Sequence, residues 1–143
     1  MREILFKGKR VDNGEWVYGF IVEALNCVTD KNETFIIEQD ATYFTYGEFA
    51  CAVEVKPETV GQFTGLCDKN GKKIFEGDII EFTNKYIHKK GRAKIVFEAF
   101  KWKYSGCYYG GNPGVWLCID DKSVEFEVIG NVHDNPELLE VQE

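Results

Sequence analysis

Ten basic side chains fall between Lys69 and Lys103, against four acidic ones, in a chain whose formal net charge is −7. Within that segment "NKYIHKKGRAK" carries Lys85, Lys89, Lys90, Arg92 and Lys94 around an expected hairpin tip, and "FKWKY" interleaves Lys101 and Lys103 with Phe100, Trp102 and Tyr104. Cations beside aromatic rings can hold nucleic acid, with the charges on the phosphates and the rings against the bases. Strand alternation works against that use here, because it sends Phe100, Trp102 and Tyr104 to one side and Lys101 and Lys103 to the other. The competing reading puts the aromatics in the core and leaves the lysines to solvate an exposed edge against aggregation. The segment is locally +6, which leaves −13 for the remainder. A basic segment of one chain could then meet the acidic part of another, with Tyr108, Tyr109 and Trp116 of the loop "GCYYGGNPGVW" as interface anchors. Alternatively those tyrosines rest on the sheet.

Other chemistry finds less support. The five cysteines, Cys27, Cys51, Cys67, Cys107 and Cys118, contain no Cys-x-x-Cys pair, and only His88 and His133 could join them around a metal. Reduced thiols, several of them buried as small hydrophobes, are expected, and no metal or cofactor. Gly61, Gly65, Gly71 and Gly77 each lead into β pattern and not into a helix with a phosphate-facing Lys, so they do not read as a phosphate loop. Asp68, Glu76, Asp78 and Glu81 are turn residues, and a strand would put Asp78 and Glu81 on opposite faces. With two His, two Ser and no paired acid motif, no catalytic residues are assigned and an enzyme is not expected.

Positioning falls to elements of period two. "REILFKG" and "EWVYGFIVE" flank Val11-Asp12-Asn13-Gly14, which predicts a first hairpin of residues 2 to 9 and 15 to 23. Trp16, Tyr18, Phe20 and Val22 share a face, expected to point into the core. "ETFIIEQ" and "CAVEV" follow as strands, while "ATYFTYGEFA" between them is compatible with strand, a helical turn or an aromatic loop. Pro57 marks a turn, after which "VGQFTGL", "KKIFE", "DIIEF", "RAKIVFEAFKWKY", "GVWLCI" and "SVEFEVIGNV" read as strands. Asn70-Gly71 and Gly77 supply left-handed turns. In the last strand Val124, Phe126 and Val128 alternate with Glu125 and Glu127. "DNPELLE" supplies Asn135 as a cap and Pro136 as a first residue for one short terminal helix, with Leu138 and Leu139 to dock it. The sum is an all-β fold, a small curved-sheet sandwich or partly open barrel with hairpins.

At 143 residues, 44% hydrophobic and 15% aromatic, the chain can bury a core of its own. One domain spanning 1–143 is expected, with an N-terminal lobe 1–56 and a barrel-like part 57–143 as a subdivision. No run of eighteen apolar residues exists and charges occupy the N-terminus, so a soluble cytoplasmic protein without membrane contact is expected.

Three blocks are familiar in their order: "MREILFKGKR", "TVGQFTGLCDKNGKKIFEGDIIEF" and "EVIGNVHDNPELLE". Together they resemble the YopX family of small proteins from phages and prophages of Gram-positive bacteria. The resemblance implies a largely β fold and a host-cell setting, and carries no catalytic residue. Residues 11 to 55 and 84 to 123 lack the signature and are where a specific function would lie. The expected function is a non-catalytic protein-interaction or assembly module, with a protein partner or self-association; the alternative is a nucleic-acid-binding accessory protein using 69–103. Nothing indicates a small-molecule substrate.

Overall fold

A computed structural model describes residues 3–38, 52–86, 88–98, 101–108, 112–118 and 123–140, with Lys89, Glu98, Lys101, 103–108 and 112–118 described by their backbone pairing. The chain is all-β, and it divides into two units, Met1–Phe63 and Thr64–Glu143. The described strands form two antiparallel sheets, neither closed into a barrel. "ATYFTYGEFA" lies outside the described residues, as do Phe100 and Tyr109.

In the first unit β1 (Phe6–Lys9) and β2 (Trp16–Asn26) pair across a turn at Val11–Gly14, with Lys9 opposite Trp16. Gly14 holds φ at +72°, the left-handed angle that the Asn-Gly pair predicts. β2 continues into β3 (Lys31–Glu38) through a turn in which the Asn26 side-chain oxygen accepts the N–H of Val28 at 2.9 Å. β3 then pairs with β4 (Ala52–Glu54). A 3₁₀ turn, Pro57–Thr59, precedes β5 (Gly61–Cys67), whose first residues pair with β1. The order in this unit is β4-β3-β2-β1-β5.

Its core is small: Val17, Ile36 and Val55, with Val53 and Val60 packed against them. The aromatic stripe of β2 does not enter it. Val17 and Gly19 are buried, whereas Tyr18 and Phe20 are 45% and 51% exposed. The expectation that Trp16, Tyr18, Phe20 and Val22 face the core is thus reversed. The cause is local. A Cβ at Gly19 would strike the Ile37 carbonyl, so β2 and β3 approach through the glycine. A Cβ at Gly8 would stand 3.1 Å from both Ile36 and Val55, which leaves room for valines and not for an indole.

The second unit begins inside β5 and continues through β6 (Lys73–Phe75), β7 (Asp78–Asn84), β8 (Lys89–Glu98), β9 (Lys101–Tyr108), β10 (Asn112–Cys118) and β11 (Val124–Asn131). Its five-stranded sheet has the order β10-β9-β8-β7-β11, antiparallel throughout. Ile74, Ile80, Phe82, Ala93, Ile95, Val124 and Phe126 form its core, with Trp102 and Val128 against the cluster. "RAKIVFEAFKWKY", read as one strand, is two, because the chain reverses between Glu98 and Lys101 so that Phe97 pairs with Trp102. Most of the expected "GCYYGGNPGVW" loop is likewise ladder, with Tyr108 ending β9 and Trp116 inside β10.

Glu76-Gly77 turns β6 into β7 with Gly77 at φ +84°. The Asp78 carboxylate, 3% exposed, accepts the Phe75 N–H at 2.8 Å, and the Gly77 N–H bonds to the Ile95 carbonyl at 3.0 Å. The expected terminal helix is a four-residue 3₁₀ turn, Pro136–Leu139, lying directly on Gly130: a Cβ there would come 2.9 Å from Leu138 Cδ1. Asn135 does not cap it, since its side-chain oxygen accepts from the Asn131 N–H instead.

Asp68 ties the turn after β5 to the last strand. Its Oδ1 accepts the N–H groups of Asn70 and Lys72, each at 2.9 Å, and its Oδ2 accepts the Val128 N–H at 3.0 Å. The Lys69 N–H reaches the Phe126 carbonyl at 3.0 Å. Burial opposes this charge, but the three N–H groups together with the Lys72 ammonium outweigh it and hold the carboxyl below its usual range. A depressed native pKa contributes stability above the unfolded-state value of about 3.9, and that contribution is lost as pH falls through the native one. Asp68→Asn should therefore cost about 1–3 kcal/mol at neutral pH, as expected when buried N–H groups lose a charged acceptor. Urea midpoints measured from neutral pH to strong acid check this: the substitution should lower the neutral midpoint and flatten the acid slope, and equal midpoints at neutral pH would refute it.

Candidate functional site

On β8, alternation puts Lys90, Arg92 and Lys94 on one face and the core residues Ala93 and Ile95 on the other. The register then extends the basic set: Lys101 is opposite Glu98 and Lys103 opposite Val96, so both share the face of Lys94. Trp116 pairs with Ser105, itself opposite Lys94, and so stands on that face one strand further. Tyr108 is opposite Gly91 and belongs to the core side, as does Lys89 by alternation. Lys85 lies in the β7–β8 turn, where its N–H bonds to the Ser123 carbonyl. Six of the ten residues singled out in the sequence are thus gathered on one face, and Tyr109 is outside the described residues.

That face is divided by charge. Lys90 and Lys94 are exposed, while Arg92 is half-buried with its Nε 4.0 Å from Glu81 Oε2. Glu81 is opposite Arg92 on β7, and Glu127 and Glu125 follow on β11. Glu127 in turn holds Lys69 at 3.1 Å, and this contact raises the lysine pKa. Cations therefore dominate the β8–β9 half, where Glu98 opposite Lys101 is the exception, and carboxylates the β7–β11 half. Trp102 lies on the opposite side, its ring centroid 4.9 Å from that of Phe97 and its indole packed against the core. The alternation argument against pairing lysines 101 and 103 with Trp102 holds.

A second surface was assigned to the wrong side by sequence reasoning. On the outward face of the first unit, Trp16, Tyr18, Phe20 and Val22 of β2 stand beside Ile37 and Phe35 of β3, which are opposite Phe20 and Val22. Lys7 and Lys9 of β1 flank the strip, with their Nζ atoms 4.7 Å and 5.7 Å from the Trp16 ring centroid. Glu54 of β4, opposite Phe35, closes its far side. Alternation could find the stripe, but no residue in β2 itself says which face is wet; Gly19, between two aromatics, was the available hint.

Other polar groups are engaged in structure. A pocket of about 590 Å³ is lined by Arg10, Val11, Asp12, Glu38, Ala52, Val53 and Glu54. Its guanidinium is already held by Asp12 through bonds of 2.8 Å and 2.7 Å. Among the described residues no three His, Cys, Asp or Glu side chains come together as a metal group. Among them, too, no helix is long and apolar enough to cross a membrane. Cys27 and Cys67 are exposed free thiols, and the side chains of Cys51, Cys107 and Cys118, on which the expectation of several buried cysteines falls, lie outside the described residues.

A family model described as "YopX protein" matches residues 6–140. The crystal structure of protein EF1440 from Enterococcus faecalis is similar, with 24% identity over 98% of this chain and 100% of that one and a TM-score of 0.54. That likeness concerns the fold. No curated protein matches.

The exposure of Cys27 and Cys67 has a direct readout. In the native protein a thiol reagent should modify both quickly, Cys27→Ser and Cys67→Ser each removing one fast equivalent. Reaction of either only under denaturant would contradict its placement.

Proposed function

We propose that this chain, which belongs to the YopX family, is a non-catalytic protein-interaction and assembly module acting in the cytoplasm of a phage's bacterial host. The observation that carries the proposal is the uncovered aromatic strip of the first unit, where Tyr18 and Phe20 are about half exposed beside Trp16, Phe35 and Ile37. Contiguous exposed aromatic surface is unusual on a monomer and typical of the centre of a protein interface, where Tyr, Trp and Phe are enriched. The charge layout favours self-association. Lys9 stands on one side of the strip and Glu54 on the other, so a two-fold arrangement would set the Lys9 side of each copy against the Glu54 side of its partner.

Size decides the strength. Four strands at about 4.8 Å spacing and about seven residues at about 3.3 Å give about 400 Å² per chain, or about 800 Å² for a pair. That is below the roughly 1,200–2,000 Å² of stable complexes, so the association should be weak and concentration-dependent. The net charge of −7 per copy opposes it further at low salt.

Sedimentation velocity from low micromolar to several hundred micromolar, at moderate salt, tests this. The wild type should pass from monomer toward dimer, and Phe20→Glu, whose site is exposed and need not disturb the fold, should remain monomeric with an unchanged melting temperature. A monomer at every concentration would end the self-association reading. The wider interaction reading would then require a protein captured by the wild type and released by Phe20→Glu.

A further inference from the structure

The basic half of this face of the second unit has no part in the assembly role proposed for the first unit's strip. We infer that this face, centred on Lys90, Arg92 and Lys94 of β8 and continued by the register positions of Lys101 and Lys103 on β9, binds the phosphodiester backbone of nucleic acid without sequence preference. Five cationic residues fall on two neighbouring strands, while the residues between them on β8, Ala93 and Ile95, fill the core. Along β8 the cations repeat at about 6.8 Å, two residues of extended chain, and β9 lies about 4.8 Å away. By register Lys103 and Lys101 continue that row beyond Lys94, opposite Val96 and Glu98, so the cations form one line about 27 Å long and not a scatter, with Glu98 at its far end. Lys90 and Lys94 are exposed and enter no ion pair among the described residues, so their ammonium groups are free to meet phosphate.

Two features bound the site. Glu81, Glu125 and Glu127 occupy the β7–β11 half and Glu98 stands opposite Lys101; these carboxylates would repel a phosphate chain, which centres the footprint on Lys90, Arg92 and Lys94. Trp116 shares the basic face on β10 by register. The chain is −7 overall, yet that charge is screened beyond about 10 Å at about 0.1 M salt, so the local cations govern what lands there. Three to five phosphate contacts predict a log–log salt slope of about −2 to −4, at about 0.7–0.9 per contact. A four-residue span corresponds to the small end of single-strand footprints, about four nucleotides.

The test is fluorescence anisotropy with labelled single-stranded and double-stranded oligonucleotides, and with inorganic polyphosphate, from about 50 to 200 mM salt. The full chain should bind at least one oligonucleotide class, weakening along that slope. The double variant Lys90→Glu/Lys94→Glu should bind at least about tenfold more weakly and lose about two contacts' worth of slope. Phe20→Glu, on the other unit, should bind as the wild type does. Thermal melting of each variant separates lost binding from lost fold, and Lys90→Gln/Lys94→Gln serves if the reversal unfolds. Absence of binding at the lowest salt overturns the assignment. So does wild-type affinity in a folded double variant, or binding of polyphosphate alone.

Discussion

The Asp68 carboxylate is the interaction on which the second unit's architecture rests. A strand at the edge of a sheet leaves every second N–H and C=O without a partner, and β11 is such a strand. The turn after β5 takes up two of those groups, the Val128 N–H by the carboxylate and the Phe126 carbonyl by the Lys69 N–H. The same carboxylate closes the turn on itself through Asn70 and Lys72. One side chain thereby shapes a tight reversal, fastens it to a strand about sixty residues later in the chain, and denies that stretch of β11 to a foreign strand. Phe126, which carries one of the two fastened groups, is part of the core, so the edge is closed at the point where slippage would expose apolar surface.

This explains why the glycine-rich central block is so tightly specified. Gly77 allows the second reversal, and its N–H and C=O go to Ile95 and Val132, so the turn is bound to β8 and to the chain just beyond β11. Asp78 occupies itself with the Phe75 N–H. Both buried carboxylates are therefore acceptors for backbone donors, a role that a depressed pKa at Asp68 supports and that proton transfer near neutral pH would disrupt. The block is scaffold. Its turns were readable because Asn-Gly and Glu-Gly-Asp leave few backbone alternatives, and the strand pattern of 124–128 was readable because glutamates interrupt the valines at every second place.

What could not be read has a common physical cause. Period two states which residues share a face but not which face is buried; that depends on partners distant in sequence. In β2 both faces are apolar, one built of Val17, Gly19 and Ile21 and the other of Trp16, Tyr18 and Phe20, and bulk suggested the aromatic one. The decision was made elsewhere, by the closeness of Ile36 and Val55 to β1 at Gly8 and of β3 to β2 at Gly19. The reversal between Glu98 and Lys101 was invisible for a related reason, since no Gly, Pro, Asn or Asp marks it in "FEAFKWKY". The basic residues are legible in the sequence, but their gathering depends on that unmarked reversal, which folds 101 and 103 back onto the face of 90, 92 and 94.

The same reversal settles how an acidic chain can carry a cationic surface. If 92–104 were one strand, its cations would be strung along about 37 Å of extended backbone, with a gap of about 24 Å between Lys94 and Lys101. The reversal between Glu98 and Lys101 closes that gap, because Lys103 and Lys101 then follow Lys94 at steps of about 7–8 Å, a spacing at which mutual repulsion raises the local potential and costs stability unless an anion or a carboxylate lies close. Glu81 supplies part of that compensation to Arg92 from the neighbouring strand, at a distance of 4.0 Å that is long for a strong pair. Lys90 and Lys94 enter no ion pair among the described residues. A fold that closes one vulnerable edge with a buried carboxylate and leaves cations on either side of Arg92 exposed on an open face has that charge where a polyanion can reach it. That imbalance, more than the number of lysines, separates a binding surface from an ordinary solvated one.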